Sequence, residues 1–129
     1  VYGSGSQTRA FLNIKDTVRC IEIAANNPAE QGEFRVFNQF TESFSVKELA
    51  EMTKKVAQQK GLTATISNIE NPRVEKEEHY YNAVNTKLID LGLEPHLLTD
   101  KVLDEILTDA LQYKERIIQD NVIPKVKWK

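Results

Sequence analysis

The sequence predicts a mixed α/β or α+β fold with about four helices and three short strands. Two patterns indicate it. Apolar residues recur at helical spacing in several segments, for example at Val18, Ile21 and Ala25, and segments rich in β-branched or aromatic residues lie between them. With 129 residues, 40% of them hydrophobic, the chain can bury one core. We therefore expect a single domain over residues 1–129.

The first elements are a strand and a helix. Residues 7–14 are apolar enough for a short extended segment, and Asp16 is a suitable N-cap for a helix that runs to about Asn26. Asn27 and Pro28 then end the helix.

A second strand is predicted over residues 33–39, directly after Gly32. Phe34 and Val36 alternate with Arg35 and Phe37, so both faces of this strand carry apolar side chains. Strands that are apolar on both faces are typical of a sheet interior.

The strongest local signal is a capping box, in which Ser45 is the N-cap and Glu48 is the N3 residue. The helix that it starts is predicted to reach Lys60, with Gly61 as the C′ residue.

The remaining elements are a third strand and two helices. The strand covers residues 63–69, and a short helix over residues 86–91 is closed by Gly92. Thr99 caps what we expect to be the longest helix, whose apolar stripe continues through Ile118 before Pro124.

Composition excludes several classes of function. Lys and Arg number 17 and Asp and Glu 19, and the net charge of −2 argues against nucleic-acid binding. Cys20 is the only cysteine, so no internal disulfide forms and no metal site is predicted; we read it as a buried apolar residue in a reducing, cytoplasmic compartment. No apolar run is long enough to span a membrane. The opening residues read as the middle of a longer sequence.

The motifs of an NAD enzyme are missing from this chain. The pair Gly3 and Gly5 has no strand before it and no third small residue at the right place for a dinucleotide loop. No tyrosine is followed four residues later by a lysine that could lower its pKa. We therefore expect no cofactor and no catalysis from this chain alone.

Two arginines are suited to holding an anionic ligand. Arg9 follows Gln7 and Thr8 at the start of an extended segment, and Arg73 follows Asn71 and Pro72 at a strand end. A guanidinium group can bind a phosphate through two parallel hydrogen bonds. By spacing alone, each arginine is read as an ordinary surface residue.

Two segments resemble a known family. The string Gln7-Thr8-Arg9-Ala10-Phe11 with the following Asp16, and later Asn71-Pro72-Arg73 with Leu91-Gly92-Leu93-Glu94-Pro95, resemble the extended short-chain dehydrogenase/reductases, the NAD-dependent epimerases and dehydratases of nucleotide sugars. Within that family, Phe37-Asn38-Gln39-Phe40-Thr41 and Glu78-His79-Tyr80-Tyr81-Asn82 resemble the UDP-sulfoquinovose synthase family of sulfolipid biosynthesis.

The resemblance implies a C-terminal, substrate-binding domain without its Rossmann domain. NAD and catalysis would belong to the intact enzyme, which would make its product from UDP-glucose and sulfite in the cytoplasm, or in the chloroplast stroma of a photosynthetic eukaryote. The residues that would contact the UDP-sugar are Gln7, Thr8, Arg9, Arg73, Glu75 and Tyr81.

Two other functions stay open. The chain could be a stand-alone interaction module, because a domain without its Rossmann partner exposes an apolar face that can self-associate. It could also be a UDP-binding module without catalysis. No nucleic-acid or membrane partner is expected.

Overall fold

The computed structural model describes residues 1–71 and 84–122, and these residues form two compact units. We call residues 8–44 and 84–98 the α1 unit, and residues 1–7, 45–71 and 99–122 the α2 unit. The described residues form five α-helices, one 3-10 helix and two short strands. The α/β character is therefore confirmed, while the single-domain assignment stays a prediction.

The α1 unit is built on helix α1 (Ile14–Asn26) and the short helix α3 (Thr86–Asp90). Its core consists of four buried residues, with Leu12 and Phe37 packed against them: Cys20, Ile23, Leu88 and Leu93. Gly92 adopts a φ of +97°, which confirms it as the residue that closes α3.

The two strands form one antiparallel pair. Strand β1 (Thr8–Phe11) is the predicted first strand, and β2 (Glu42–Ser45) pairs with it. The amide of Thr41 donates to the carbonyl of Phe11 at 2.9 Å, which sets the register at one end. Sequence reasoning missed β2, because these residues read as the approach to the capping box.

The α2 unit packs helix α2 (Val46–Gln59) against helix α4 (Asp100–Gln112). Val56 and Ala57 from α2 and Leu103 from α4 are buried. At the edge of this contact, Lys55 reaches Asp100 at 2.6 Å and Lys60 reaches Asp104 at 2.7 Å.

The capping box of α2 is confirmed in both directions. The Ser45 hydroxyl accepts from the Glu48 amide at 3.1 Å, and the Glu48 carboxylate accepts from the Ser45 amide at 2.7 Å. The hydrogen bond from the Ser45 amide, together with a second one that the Ser45 hydroxyl donates to the same carboxylate at 2.8 Å, lowers the pKa of Glu48. At the other end, Gly61 follows the helix with a φ of +74°, as predicted.

We expect Ser45→Ala to lower the free energy of unfolding by about 1 kcal/mol, because the Glu48 amide loses its acceptor. Ser43→Ala, on the exposed face of β2, is the matched control. A lowered pKa means that the ionised Glu48 stabilises the fold above its unfolded pKa and that this contribution is lost as the pH falls. Urea denaturation at neutral and acid pH should show the Ser45→Ala effect shrinking in acid; equal midpoints for the two variants at neutral pH would contradict it.

The predicted N-cap of α1 was wrong by three residues. The cap is Asn13, which has extended backbone angles and whose side chain accepts from the Lys15 amide at 3.0 Å. Both residue types can cap a helix, and the earlier one along the chain does so here. Asp16 instead lies within the first turn of α1, where it is buried.

The two strands predicted over residues 33–39 and 63–69 are not strands in the structure. An isolated parallel bridge between Tyr2 and Ile69 is the part of the third strand that forms. A strand is defined by its hydrogen-bonded neighbour, and the described chain offers no neighbour along most of either segment.

Helix α4 is shorter than its apolar stripe predicted. It ends at Gln112, and the 3-10 turn Lys114–Arg116 and the short helix α5 (Gln119–Val122) follow. Every residue from Thr108 to Val122 is exposed, so no packing stabilises a longer helix there. At 14 residues α2, not α4 with 13, is the longest described helix. No described helix combines the length and the hydropathy needed to cross a bilayer.

Candidate functional site

The predicted ligand contacts Gln7, Thr8 and Arg9 follow a glycine turn that is hydrogen-bonded to the start of α2. The Gly5 carbonyl accepts from the Lys47 amide at 3.0 Å, and the Gln7 carbonyl accepts from the Val46 amide at 3.3 Å. Together with the Ser45 cap, these bonds occupy the first three amides of α2. The amino terminus of α2 is therefore satisfied by the protein itself and is not a vacant anion site.

The glycine turn does not fit a dinucleotide. A β-carbon on Gly5 would lie 2.7 Å from Val1 Cγ1 and 3.2 Å from the Lys47 amide nitrogen. The space that a glycine leaves open for a pyrophosphate in a dinucleotide loop is here filled by the chain's own atoms.

Gln7 lies at the end of this turn in the α2 unit. It is half-buried, and its side-chain amide donates to the Tyr2 carbonyl at 3.4 Å. The side chain therefore braces the turn.

Thr8 and Arg9 open strand β1 in the α1 unit. Burial alternates along this strand, so Thr8 is half-buried while Arg9 is exposed. The Arg9 guanidinium donates through Nη1 to the Thr8 carbonyl at 2.9 Å. This bond folds the side chain back along its own strand and holds the charged group at the surface, where it remains accessible to solvent.

Arg73, Glu75 and Tyr81 lie outside the described residues, so their predicted contacts with a UDP-sugar stay predictions.

The most buried charge in the described chain is the carboxylate of Asp16, which is 1% exposed. It accepts from the His96 amide at 2.8 Å and lies 2.6 Å from His96 Nδ1. Both carboxylate oxygens are therefore used by one residue, which lies in the loop after Gly92. This pair fastens that loop to the first turn of α1. Sequence reasoning missed it because the two residues are 80 positions apart.

Cys20 lies one helical turn after Asp16 and is fully buried. Burial raises the pKa of its thiol, and the negative charge of Asp16 raises it further. A thiol with a raised pKa stays protonated at neutral pH and is a poor nucleophile. The prediction that Cys20 is a buried apolar residue is confirmed.

An exposed ion pair lies at the start of residues 33–39, the segment that the sequence predicted as the second strand. The Arg35 guanidinium donates to the Glu33 carboxylate at 2.9 Å through Nε, and the Glu30 amide donates to it at 3.0 Å. Both hydrogen bonds lower the pKa of Glu33, which falls to about 2. The hydrogen bond from Arg35 is the larger cause. Arg35 also donates to the Asn27 carbonyl at 3.1 Å, and this hydrogen bond connects the segment to the end of α1.

The α2 unit has an open groove of about 480 Å³ between the first half of α2 and residues 64–67. Its walls are mainly small and apolar, and Lys54 is the one charged side chain among the described residues that line it. Thr53, Thr65 and Ser67 add hydroxyl groups, but no arginine that could bind a diphosphate is among the described residues of this lining. No cluster of three or more His, Cys, Asp or Glu side chains suited to a metal occurs within residues 1–71 and 84–122.

Comparison with known proteins identifies the class to which this chain is related. It is similar over its whole length to enzymes named UDP-sulfoquinovose synthase. One such protein, "UDP-sulfoquinovose synthase, chloroplastic" from Spinacia oleracea, is 55% identical over 129 residues, which is 100% of this chain and 27% of that protein. Another, from Sulfolobus acidocaldarius, is 42% identical over 131 residues, which is 100% of this chain and 33% of that protein. No family model matches.

The chain is therefore a homologue of the UDP-sulfoquinovose synthases, as its sequence motifs predicted. It spans about a third or less of the length of these relatives.

Proposed function

We propose that this chain supplies the C-terminal, UDP-sugar-binding part of a UDP-sulfoquinovose synthase-like enzyme of the extended short-chain dehydrogenase/reductase class. The similarity of this whole chain to a part of two proteins of that name, at 55% and 42% identity, is the observation that carries the proposal. In this proposal NAD and the oxidation–reduction chemistry belong to a Rossmann domain outside the 129 residues. This part holds the nucleotide sugar in place, and positioning of this kind contributes to catalysis even without a reacting group.

Arg9 is the described residue that best suits the nucleotide. Its exposed guanidinium stands at the start of β1, and the family motif places an arginine at this position. When the ligand binds, the guanidinium would exchange its hydrogen bond to the Thr8 carbonyl for charge-assisted bonds to the diphosphate. Gln7 and Thr8 would line the same pocket, together with Arg73, Glu75 and Tyr81.

The test is substitution of Arg9 in the full-length product of the gene that encodes this chain. We expect Arg9→Ala to raise the KM for UDP-glucose about tenfold, the equivalent of roughly 1.4 kcal/mol of lost binding. Arg9→Lys should recover only part of this loss, because an ammonium keeps the charge but loses the forked geometry.

The matched control is Arg19→Ala. Arg19 is an exposed arginine on α1 that pairs with Glu22 at 2.5 Å, and its loss should leave KM unchanged. A wild-type KM in Arg9→Ala would remove Arg9 from the proposed site. Absence of UDP-glucose turnover in the unaltered gene product would reject the enzyme proposal itself.

A second candidate is an interaction module without catalysis. Large apolar side chains exposed on α1, including Ile14 at 75% and Val18 at 66%, favour it. Isothermal titration with UDP distinguishes the candidates: a gene product that binds no UDP but associates with itself would support the module. UDP binding without turnover would instead support a nucleotide-binding protein.

As for location, the name of the spinach relative describes that protein as chloroplastic. A cytoplasmic or stromal location for this chain is part of the proposal.

A further inference from the structure

Two asparagine side chains in the α1 unit connect the same two segments of the chain in opposite directions. The Asn38 side chain donates through Nδ2 to the Val84 carbonyl at 2.8 Å, and the Asn85 side chain donates through Nδ2 to the Phe40 carbonyl at 2.9 Å. These partners are 46 and 45 positions apart in the sequence. We call the two hydrogen bonds the asparagine clasp. It connects residues 38–40 to the start of helix α3.

Asn85 occupies the N-cap position of α3, but within the described residues its side chain makes no capping hydrogen bond. An asparagine at this position ordinarily accepts from an amide of the first turn and so stabilises the helix. The side chains at the corresponding positions of α1, α2 and α4, which are Asn13, Ser45 and Thr99, all cap their helices. At α3 the side-chain amide is used for Phe40 instead, which points to a role for this contact beyond the stability of α3.

The asparagine clasp is connected to strand β1 through the next residue along the chain. Thr41 follows Phe40, and its amide and its hydroxyl both donate to the Phe11 carbonyl, at 2.9 and 3.4 Å. Phe11 is the last residue of β1, and Arg9 lies two positions before it on the same exposed side of the strand. A continuous series of contacts therefore runs from Asn85 through residues 40–41 to the strand that carries Arg9.

We propose that Asn38 and Asn85 are positioning residues for the UDP-sugar, because they hold residues 38–41 on the start of α3 and thereby set the position of β1 and of the Arg9 guanidinium. The inference rests on the proposed function, since it requires Arg9 to contact the nucleotide. Neither asparagine contacts the ligand itself. A displacement of about 1 Å is enough to spoil the alignment that a guanidinium needs for two parallel hydrogen bonds to a diphosphate.

Replacement of Asn85 by aspartate separates positioning from stability. Both contacts of the clasp use the donor half of a side-chain amide, and an ionised carboxylate of the same shape cannot donate. At the N-cap of a helix, however, aspartate is a favourable residue, because it accepts from the first-turn amides and its charge complements the helix dipole. Asn85→Asp therefore removes the contact with Phe40 while it supplies the cap that α3 lacks.

Steady-state kinetics and thermal melting of the full-length gene product test the inference. We expect Asn85→Asp to raise the KM for UDP-glucose about fivefold and to leave kcat within about twofold of the parent, because only ligand binding is affected. Asn38→Asp should raise KM by a similar factor. In the Arg9→Ala background, Asn85→Asp should raise KM no further, because its effect passes through Arg9.

The matched control is Thr99→Ala, which removes the cap of α4. The Thr99 hydroxyl accepts from the Val102 amide at 3.3 Å, so its loss should lower the Tm by about 2 °C and leave KM unchanged. Asn85→Asp should show the opposite combination, with a raised KM and a Tm above that of Thr99→Ala.

The outcomes separate this inference from the proposed function. A parent-like KM in Asn85→Asp and Asn38→Asp, with a raised KM in Arg9→Ala, would overturn the positioning role and leave Arg9 in the site. A KM that rises in Thr99→Ala as it does in the asparagine variants would also overturn it, since the effect would then follow stability. A parent protein that neither turns over UDP-glucose nor binds UDP would reject the proposed function and this inference together.

Discussion

Replacing Asp16 by alanine is expected to lower the free energy of unfolding by about 3 kcal/mol, which corresponds to a drop in Tm of roughly 10 °C for a chain of this size. Both oxygens of this buried carboxylate are engaged by His96, through its amide at 2.8 Å and its ring Nδ1 at 2.6 Å. Hydrogen bonds to an ionised acceptor are the stronger kind, and their loss leaves the His96 amide without its partner.

Two further variants separate the two halves of this interaction. His96→Ala removes only the ring contact and keeps the backbone amide, so we expect a loss of about 1 kcal/mol. Asp109→Ala removes an exposed carboxylate on α4 and should stay within about 0.5 kcal/mol of the parent. Thermal and urea denaturation of the four proteins is the measurement. If Asp16→Ala has the same melting temperature as the Asp109→Ala control, the hydrogen bonds between Asp16 and His96 do not hold the loop after Gly92.

The parts of the fold that sequence predicted correctly are those fixed by neighbouring residues. The capping box at Ser45 and the glycines that close α2 and α3 depend on side chains and backbone angles within a few positions. The N-cap at Asn13 shows the precision of such reasoning, because two capping residues three positions apart compete and local pattern does not rank them.

The parts that sequence missed depend on distant partners. Strand β2 forms because β1 lies beside it, and residues 33–39 stay out of a sheet because no described strand does. Asp16 and His96 are 80 positions apart in the sequence, and the residues next to either of them do not predict the contact. Hydrophobic patterning predicts which residues can form a strand, whereas the presence of a partner decides whether they do.

The candidate site also has one part that the sequence predicted and one part that it missed. Family motifs, rather than spacing, singled out Arg9, and the structure places it on the exposed side of β1. The sequence excluded Gly3 and Gly5 as a dinucleotide loop and gave these glycines no packing role. The structure instead shows that Gly5 packs against the first turn of α2, which no local pattern could predict because the two segments are about 40 positions apart.

Replacing Gly5 by alanine is accordingly expected to cost about 2–3 kcal/mol. Its φ of +74° disfavours any side chain by about 1–2 kcal/mol, and the new methyl group would lie 3.2 Å from the Lys47 amide nitrogen. That nitrogen cannot move away freely, because it donates to the Gly5 carbonyl at 3.0 Å.

Gly61→Ala is the matched control for Gly5→Ala. Gly61 has the same φ of +74°, but a β-carbon there meets nothing within 4 Å. Its substitution therefore measures the backbone penalty alone, about 1–2 kcal/mol, and the difference between the two variants measures the packing of the turn against α2. Because Gln7 closes this turn and Thr8 and Arg9 follow it directly, Gly5→Ala should also weaken the proposed binding of UDP-glucose to the full-length gene product, whereas Gly61→Ala should not. Equal losses of stability in the two variants would show that the turn tolerates the methyl group and that its packing against α2 contributes little.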